Sequence, residues 1–389
     1  MKYAPLLLFV VLLACNKKND VVAPAAPTQQ LQAIAEKTGR QKPEVCSFGL
    51  QIVNKTRRAA VNNNAAKKKR RNEPRATAEA TIFLDPDGQL VSNTLWNTAG
   101  DINCAPANLM ESEIEKILTR VSEDFSPFDV NVTTDEAVYN ATSPYKRIRV
   151  ILTESWEWFG VVGGTAFINS FGSGNTPAFI FTTLLQYNEK YIAEAISHEV
   201  GHTLNLQHQG MYDAGGNFIS EYNDGTGSGV RGWAPIMGTG YYKNVTTWHK
   251  GPSSLGYKNI QDDVKIISSK LPLKVDTNED INKKQDLSTS TEGIINNSKD
   301  ADFYFIDVKQ TSTIMASPQC VENEDGANLC LKMNLYDKKG VFIRTVKDPL
   351  QLSASTTLPK GKYYIGIETV ASENQSRYGM LGRYVVKVL

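Results

Sequence analysis

Residues 198–208 read His-Glu-Val-Gly-His-Thr-Leu-Asn-Leu-Gln-His, which places three of the chain's four histidines within eleven residues. The apolar run Ile192, Ala193, Ala195 and Ile196 ahead of them predicts a helix. On it His198 and His202, four apart, project from one face a turn from each other. Two imidazoles so placed can share one Zn2+, and Glu199 between them in sequence can hydrogen-bond a metal-bound water and act as general base. His208 lies six residues past His202, too far for the same face of a continuing helix, so the chain must turn sharply between them. Asn205 stands at that turn, and after Gly it is the residue most tolerant of positive φ. The competing third ligand is Glu221, nineteen residues past His202. Around it Gly215, Gly216, Asn223, Asp224, Gly225 and Gly227 cannot form a helix interior, which favours His208. His249, next to Trp248, falls outside any ligand spacing and reads as structural.

The N-terminus carries Lys2 and then an apolar stretch from Ala4 to Ala14 broken only by Pro5, too short for a stable membrane span. It ends Leu12-Leu13-Ala14-Cys15, which resembles the lipobox of bacterial lipoprotein signal peptides. That resemblance implies cleavage before Cys15, lipidation of its thiol and attachment to a membrane through the anchor alone. The expected location is the bacterial cell envelope or surface, with secretion after processing as the alternative. Outside the cytoplasm disulfides persist, so Cys46, Cys104, Cys320 and Cys330 are candidates for two bridges. Proximity favours Cys46 with Cys104 and Cys320 with Cys330. A sharper alternative for Cys46 is a latency thiolate that caps a metal from a pro-segment.

Residues 16–79 are poor in core-forming side chains and include an Asn run, 62–64, and the basic block Lys67, Lys68, Lys69, Arg70 and Arg71. They read as a linker or pro-region that orders little on its own, the basic block being a solvated run or a site of proteolytic maturation. A first folded region is expected over 80–270. Its candidate strands are Ile82 to Leu84, 130–132, 147–152, 165–169 and 179–181, and Ile114, Ile117, Leu118, Val121 and Phe125 predict an amphipathic helix capped by Asn108 or Ser112. Helix and strands in this order suggest a mixed sheet. Residues 271–389 begin with a polar stretch, 274–300, that resembles a linker at least in part. Period-two alternation through Phe303, Phe305, Val308, Leu331, Met333, Leu335, Tyr363, Ile365 and Ile367 then predicts an all-β sandwich.

At 389 residues the chain has room for two or three domains. Lys plus Arg 42 against Asp plus Glu 41 leaves a net charge of +1, so the global basic field that a nucleic-acid partner would need is missing. With 41% hydrophobic and 21% charged residues it reads as globular rather than multi-span or disordered.

Beyond the histidines, several phrases resemble secreted bacterial metzincin zinc metallopeptidases: 83–88 (Phe-Leu-Asp-Pro-Asp-Gly), 121–130, 193–197 leading into His198, and 232–242. The resemblance covers about residues 80–267, with Asn205 in place of the usual Gly and Gln209 where an Asp often follows the third His. It implies an α+β fold, a metzincin-like catalytic domain with a mixed twisted sheet, an active-site helix and a Met-turn. Met237, in Ala234-Pro235-Ile236-Met237-Gly238, would be the apolar floor under the ligands, and Tyr241 or Tyr242 an oxyanion stabiliser. It further implies Zn2+ on His198, His202 and His208, with Glu199 as the base for hydrolysis of a protein or peptide substrate, which could add as a strand along 165–171. The rival expectation is a surface-anchored binding or adhesion protein with a structural zinc. Residues 300–303 and 379–384 are similar to the bacterial pre-peptidase C-terminal β-sandwich. That module sometimes binds calcium, which makes Asp300 and Asp302 candidate Ca2+ ligands, solvated turn carboxylates being the favoured reading.

Overall fold

The computed structural model describes residues 78–389 except 277, 322–324 and 373, together with 56, 58–60 and the backbone of 45–48. The segment expected to be a signal peptide, Cys15, the basic block 67–71 and the Cys46 side chain lie outside the described residues. The fold is mixed α+β, with more strand than helix.

Six strands form the first sheet: β1 (Val45–Phe48), β2 (Thr81–Asp85), β3 (Asn131–Thr133), β4 (Arg147–Thr153), β5 (Gly164–Phe167) and β6 (Ala178–Phe181). Their spatial order is β1-β5-β6-β4-β2-β3. The pairs β2/β3, β2/β4 and β4/β6 are parallel, whereas β5 runs antiparallel to β6 and β1 antiparallel to β5. Period-two alternation divides the side chains between two cores. Ala178 and Ile180 of β6 enter the core beneath the helices, while Phe179 and Phe181 enter an aromatic cluster on the opposite face with Trp96, Trp158, Phe159 and Phe167. Burial on both faces explains why Val150, Ile151 and Leu152 of β4 and all of β6 read as continuous apolar runs.

Two long helices cover the first face. In α1 (Glu111–Asp124), Ile114, Ile117, Leu118 and Val121 are buried as the periodicity predicts. Its N-terminus departs from expectation: the Glu113 carboxylate accepts the Met110 N–H at 2.6 Å, a role given from sequence to Asn108 or Ser112. Asn108 instead adopts φ 54°, and its carbonyl accepts from the Arg58 guanidinium. A short helix, α2 (Glu136–Ala141), comes next. The second long helix, α3 (Glu189–Thr203), is capped by Asn188, whose Oδ1 accepts from Lys190 and Tyr191 at 3.0 and 3.1 Å.

Two sheets with a shared apolar interior make up the C-terminal region. The strands are β7 (Gln285–Asp286), β8 (Ser290–Ile295), β9 (Ala301–Val308), β10 (Ser312–Pro318), β11 (Leu331–Asp337), β12 (Phe342–Val346), β13 (Ala354–Leu358), β14 (Gly361–Thr369) and β15 (Gly382–Val388). One sheet has the order β7-β9-β14-β11-β12 and the other β8-β15-β10-β13. Two of these strands, β7 and β8, fall in the polar stretch expected to be a linker. Pairing of every β8 residue with β15 makes β8 a strand without an apolar repeat of its own.

The two regions meet over the C-terminal half of α1. The Glu123 carboxylate accepts from the backbone N and Nε of Arg383 at 2.7 and 2.9 Å, and Arg120 pairs with Asp325. Asn328 donates to Asp124 Oδ1 at 2.8 Å. Trp233 and Val245 share an apolar cluster with Ala327, Cys330, Leu352 and Met380. Two glycines approach the first region closely. A β-carbon on Gly379 would lie 1.8 Å from the Trp248 carbonyl oxygen, and one on Gly382 2.3 Å from Glu123 Oε1.

The structure corrects the expected bridges: Cys104, Cys320 and Cys330 are thiols. Cys330 Sγ accepts from the Arg231 guanidinium at 2.7 Å. Cys104 is buried in the aromatic cluster, and burial with Asp85 nearby pushes its thiol up to about 12, far from a reactive thiolate.

Candidate metal centre

His198 and His202 project from the last turns of α3, and the helix then ends as the sequence requires. Leu206 N bonds to Gly201 O at 3.0 Å, and Asn205 takes φ 83°, the left-handed conformation that lets the chain double back. The turn brings His208 against the other two. Ring centroids are 4.7 Å apart for His198 and His202, 5.2 Å for His198 and His208, and 4.8 Å for His202 and His208. One ligand atom from each ring lies within 4.8 Å of the others, and all three residues are buried.

Hydrogen bonds at the far side of each ring fix its tautomer. His198 Nδ1 lies 2.8 Å from the Ile236 carbonyl, His202 Nδ1 2.8 Å from the Leu206 carbonyl and His208 Nδ1 2.7 Å from Glu221 Oε1. A carbonyl or carboxylate oxygen only accepts, so each Nδ1 carries the proton and each Nε2 keeps its lone pair. Nε2 of His202 and of His208 are buried with no hydrogen-bond partner. Burial and the neighbouring imidazoles hold His198 and His202 well below the usual histidine range, so both stay neutral. Three imidazole nitrogens gathered within 4.8 Å of one another are a donor set suited to Zn2+.

Met237 is fully buried. A β-carbon on Gly201 would sit 2.4 Å from its sulfur, so the absence of a side chain at Gly201 lets the Met237 turn press against α3 between the two helical ligands. Gly164 plays the matching part on the other side, where a β-carbon would meet Glu199 Cγ at 2.8 Å, placing β5 directly over Glu199. The two tyrosines separate: Tyr242 is 71% exposed, whereas Tyr241 is 2% exposed. Burial first, then the facing Glu199 and Glu194, raise the Tyr241 phenol well above its ordinary value.

Sequence reasoning missed three participants. Glu221, weighed only as a ligand, is the partner of His208, and that hydrogen bond lowers its own pKa. The Tyr222 ring lies tilted by 39° against that of His208, with centroids 4.3 Å apart. The Ile236 carbonyl orients His198, its only sequence signal being that it precedes Met237. Gln209, an outlier by resemblance, is buried and donates to Asp263 at 3.1 Å. Its main-chain N bonds to the Met237 carbonyl at 2.7 Å, which ties the third ligand to the Met237 turn. His249 stands outside the group, its pKa pushed down to about 4 by burial.

Behind the helix, Ser197 donates to Asp124 Oδ2. Burial and Glu194 raise Asp124 well above the carboxylate range.

No family model matches the chain, and no curated protein matches it. Among solved structures it is similar to the pre-peptidase C-terminal domain of collagenase from Bacillus anthracis, at 16% identity and TM-score 0.19 over 27% of this chain and 92% of that one. It is also similar to PliG, a periplasmic inhibitor of g-type lysozyme. The Aeromonas hydrophila protein matches at 13% identity and TM-score 0.17 over 26% of this chain and 84% of that one. The Salmonella Typhimurium protein matches at 18% and 0.18 over 27% and 96%. These partial likenesses extend to about a quarter of the chain.

Proposed function

We propose that the chain is a zinc-dependent endopeptidase of metzincin type, acting on extracellular proteins. The observation that carries this reading is the convergence of three tautomer-fixed imidazoles beside Glu199. When bound there, zinc supplies a Lewis acid for the scissile carbonyl and acidifies water. Glu199 takes the proton from the attacking water as its oxygen adds to the carbonyl carbon, and returns it to the nitrogen as the C–N bond breaks. Tyr241, facing Glu199 from a buried position, is better suited than exposed Tyr242 to donate to the developing oxyanion.

The strand over Glu199 supports a peptide substrate. The chain's own segment β1 pairs antiparallel with β5 in the register Cys46 to Ala166 and Ser47 to Thr165. An extended substrate would take the same place by main-chain hydrogen bonding, and β1 would then act as a resident competitor. Export as a lipoprotein anchored through Cys15 would put this site outside the cytoplasm.

Casein or gelatin hydrolysis, with and without a zinc chelator, tests the reading. Chelator-sensitive cleavage supports it. Bound zinc with no cleavage by the protein freed of residues 16–77 would favour a binding protein with a structural metal.

A further inference from the structure

His198 and His202 take their spacing from α3, but His208 lies beyond the helix end, where helical geometry no longer sets its direction. Two buried side chains from further along the chain hold the residues on either side of it. A strand over Gly256–Asp262, paired antiparallel with Lys250–Ser253, runs directly into a short helix, Asp263–Ser268. Gln261 and Asp263 stand two apart on this run and both reach the His208 loop. Asp262 between them turns the other way, to Lys250 at 2.9 Å and to the Tyr378 hydroxyl of the sandwich.

The Gln261 amide meets Gln207 as a neighbouring strand would. Its Oε1 accepts the Gln207 N–H and its Nε2 donates to the Gln207 carbonyl, both at 2.8 Å. One side chain thereby engages both main-chain groups of the residue before His208. The same Nε2 donates to Asp263 Oδ1 at 2.9 Å. Gln209, the residue after His208, donates its own Nε2 to that oxygen at 3.1 Å, and Asp263 Oδ2 accepts the His249 N–H at 2.8 Å. With N–H donors on both its oxygens, the carboxyl draws the nitrogen end of each amide toward itself and leaves the Gln261 oxygen turned to Gln207 N. All three side chains are buried, Asp263 and Gln209 completely. Such a network keeps one arrangement because an unpaired member is costly in a low-dielectric interior.

We infer that Gln261 and Asp263 are positioning residues for the third metal ligand, gripping Gln207 and Gln209 so that the His208 ring stays against those of His198 and His202. The inference rests on the proposed metal site and supplies a part of it that Glu221 does not. Glu221 orients the imidazole, whereas the Gln261 and Asp263 pair fixes the main chain that carries it. That main chain needs an external frame, since residues 206–208 belong to no helix or strand. The frame is completed by the His208 carbonyl, which accepts the Ser254 N–H at 2.9 Å from the same hairpin.

The test reads the metal rather than proteolysis. Zn2+ affinity of the full-length protein is measured by competition with a chromogenic chelator, and Co2+ is loaded separately, its visible absorption reporting ligand number and geometry. Gln261→Met keeps the side-chain volume and loses both bonds to Gln207, and Asp263→Asn keeps the shape and loses an acceptor. Each should weaken Zn2+ binding by about tenfold or more and alter the Co2+ bands. Asp262→Asn, at the neighbouring carboxylate that faces away, should leave both readouts at their wild-type values. In a His208→Ala background Gln261→Met should change the residual Zn2+ affinity by less than about twofold, because the pair acts only through His208. A merely structural role would lower affinity in both backgrounds. Wild-type Zn2+ affinity and Co2+ bands in Gln261→Met and Asp263→Asn overturn the inference and leave the metal site standing. So does an equal loss with and without His208, or a loss in Asp262→Asn as large as that in Asp263→Asn. A wild-type protein that binds neither metal overturns the metal site itself, and the inference with it.

Discussion

His208 Nδ1 and Glu221 Oε1 lie 2.7 Å apart, the one carboxylate contact among the three histidine orientations. His198 and His202 are oriented by main-chain carbonyls that no substitution deletes, so His208 is the ligand whose orientation mutation can weaken. Glu221→Ala should lower zinc affinity about 10–100-fold, read by competition with a chromogenic chelator. Glu221→Gln should retain more of the affinity, because its amide oxygen still accepts from Nδ1. Equal affinities for wild type and Glu221→Ala would show the contact to be incidental.

Glu199→Ala should reduce hydrolysis of a protein substrate by about 10²-fold or more while zinc content stays at one per chain. Zinc is measured by elemental analysis on the sample assayed, so that loss of the base is separated from loss of the metal.

Removal of the segment containing β1 should raise activity. Arg58 pins the chain downstream of β1, its guanidinium bonding to Asn108 O and Glu113 and its main-chain N to the Tyr187 hydroxyl. Deletion of residues 16–77, or trypsin cleavage within 67–71, is therefore expected to increase the rate on casein. Cys46→Ala tests whether the thiol contributes. Full activity of the uncut protein, unchanged by deletion, would mean that β1 does not occupy the substrate's place.

Asp302 is pushed up to about 8, by burial first and then by Asp300 and Asp276. A folded-state pKa above the unfolded value of about 3.9 means that the native state holds a proton the unfolded chain gives up. That contribution is complete below the unfolded pKa and is lost as pH climbs through about 8. Denaturant unfolding should accordingly show stability falling from about pH 4 toward pH 8, with a shallower fall in Asp302→Asn.

The convergence of His198, His202 and His208 was legible because a helix imposes a fixed i, i+4 geometry and because Asn205 marks the turn that returns His208. Glu221, Tyr222 and the Ile236 carbonyl were not, since residues that orient a ligand reach it across tertiary contacts with no period along the chain. Strands β4 and β6 announced themselves by apolar runs. Strand β8, built from Ser290, Thr291, Glu292 and Gly293 before its two isoleucines, is defined by β15 beside it rather than by its own composition. Cysteine spacing misled for a related reason. Proximity in sequence says nothing about which side-chain donor meets a sulfur, and at Cys330 that donor is Arg231.

Asn328 has a consequence beyond its own bond. Through Asp124 it reaches Ser197, the residue before His198, so a side chain of the sandwich sits two hydrogen bonds from the helix that carries His198 and His202. Asn328→Ala would leave Asp124 Oδ1 unsatisfied, at about 1–3 kcal/mol. At Gly379 and Gly382 any side chain acts as a wedge between the regions. The two parts of the chain should therefore melt in one cooperative transition, and a protein shortened to end near residue 270 would lose the rear support of its histidine cluster along with the sandwich.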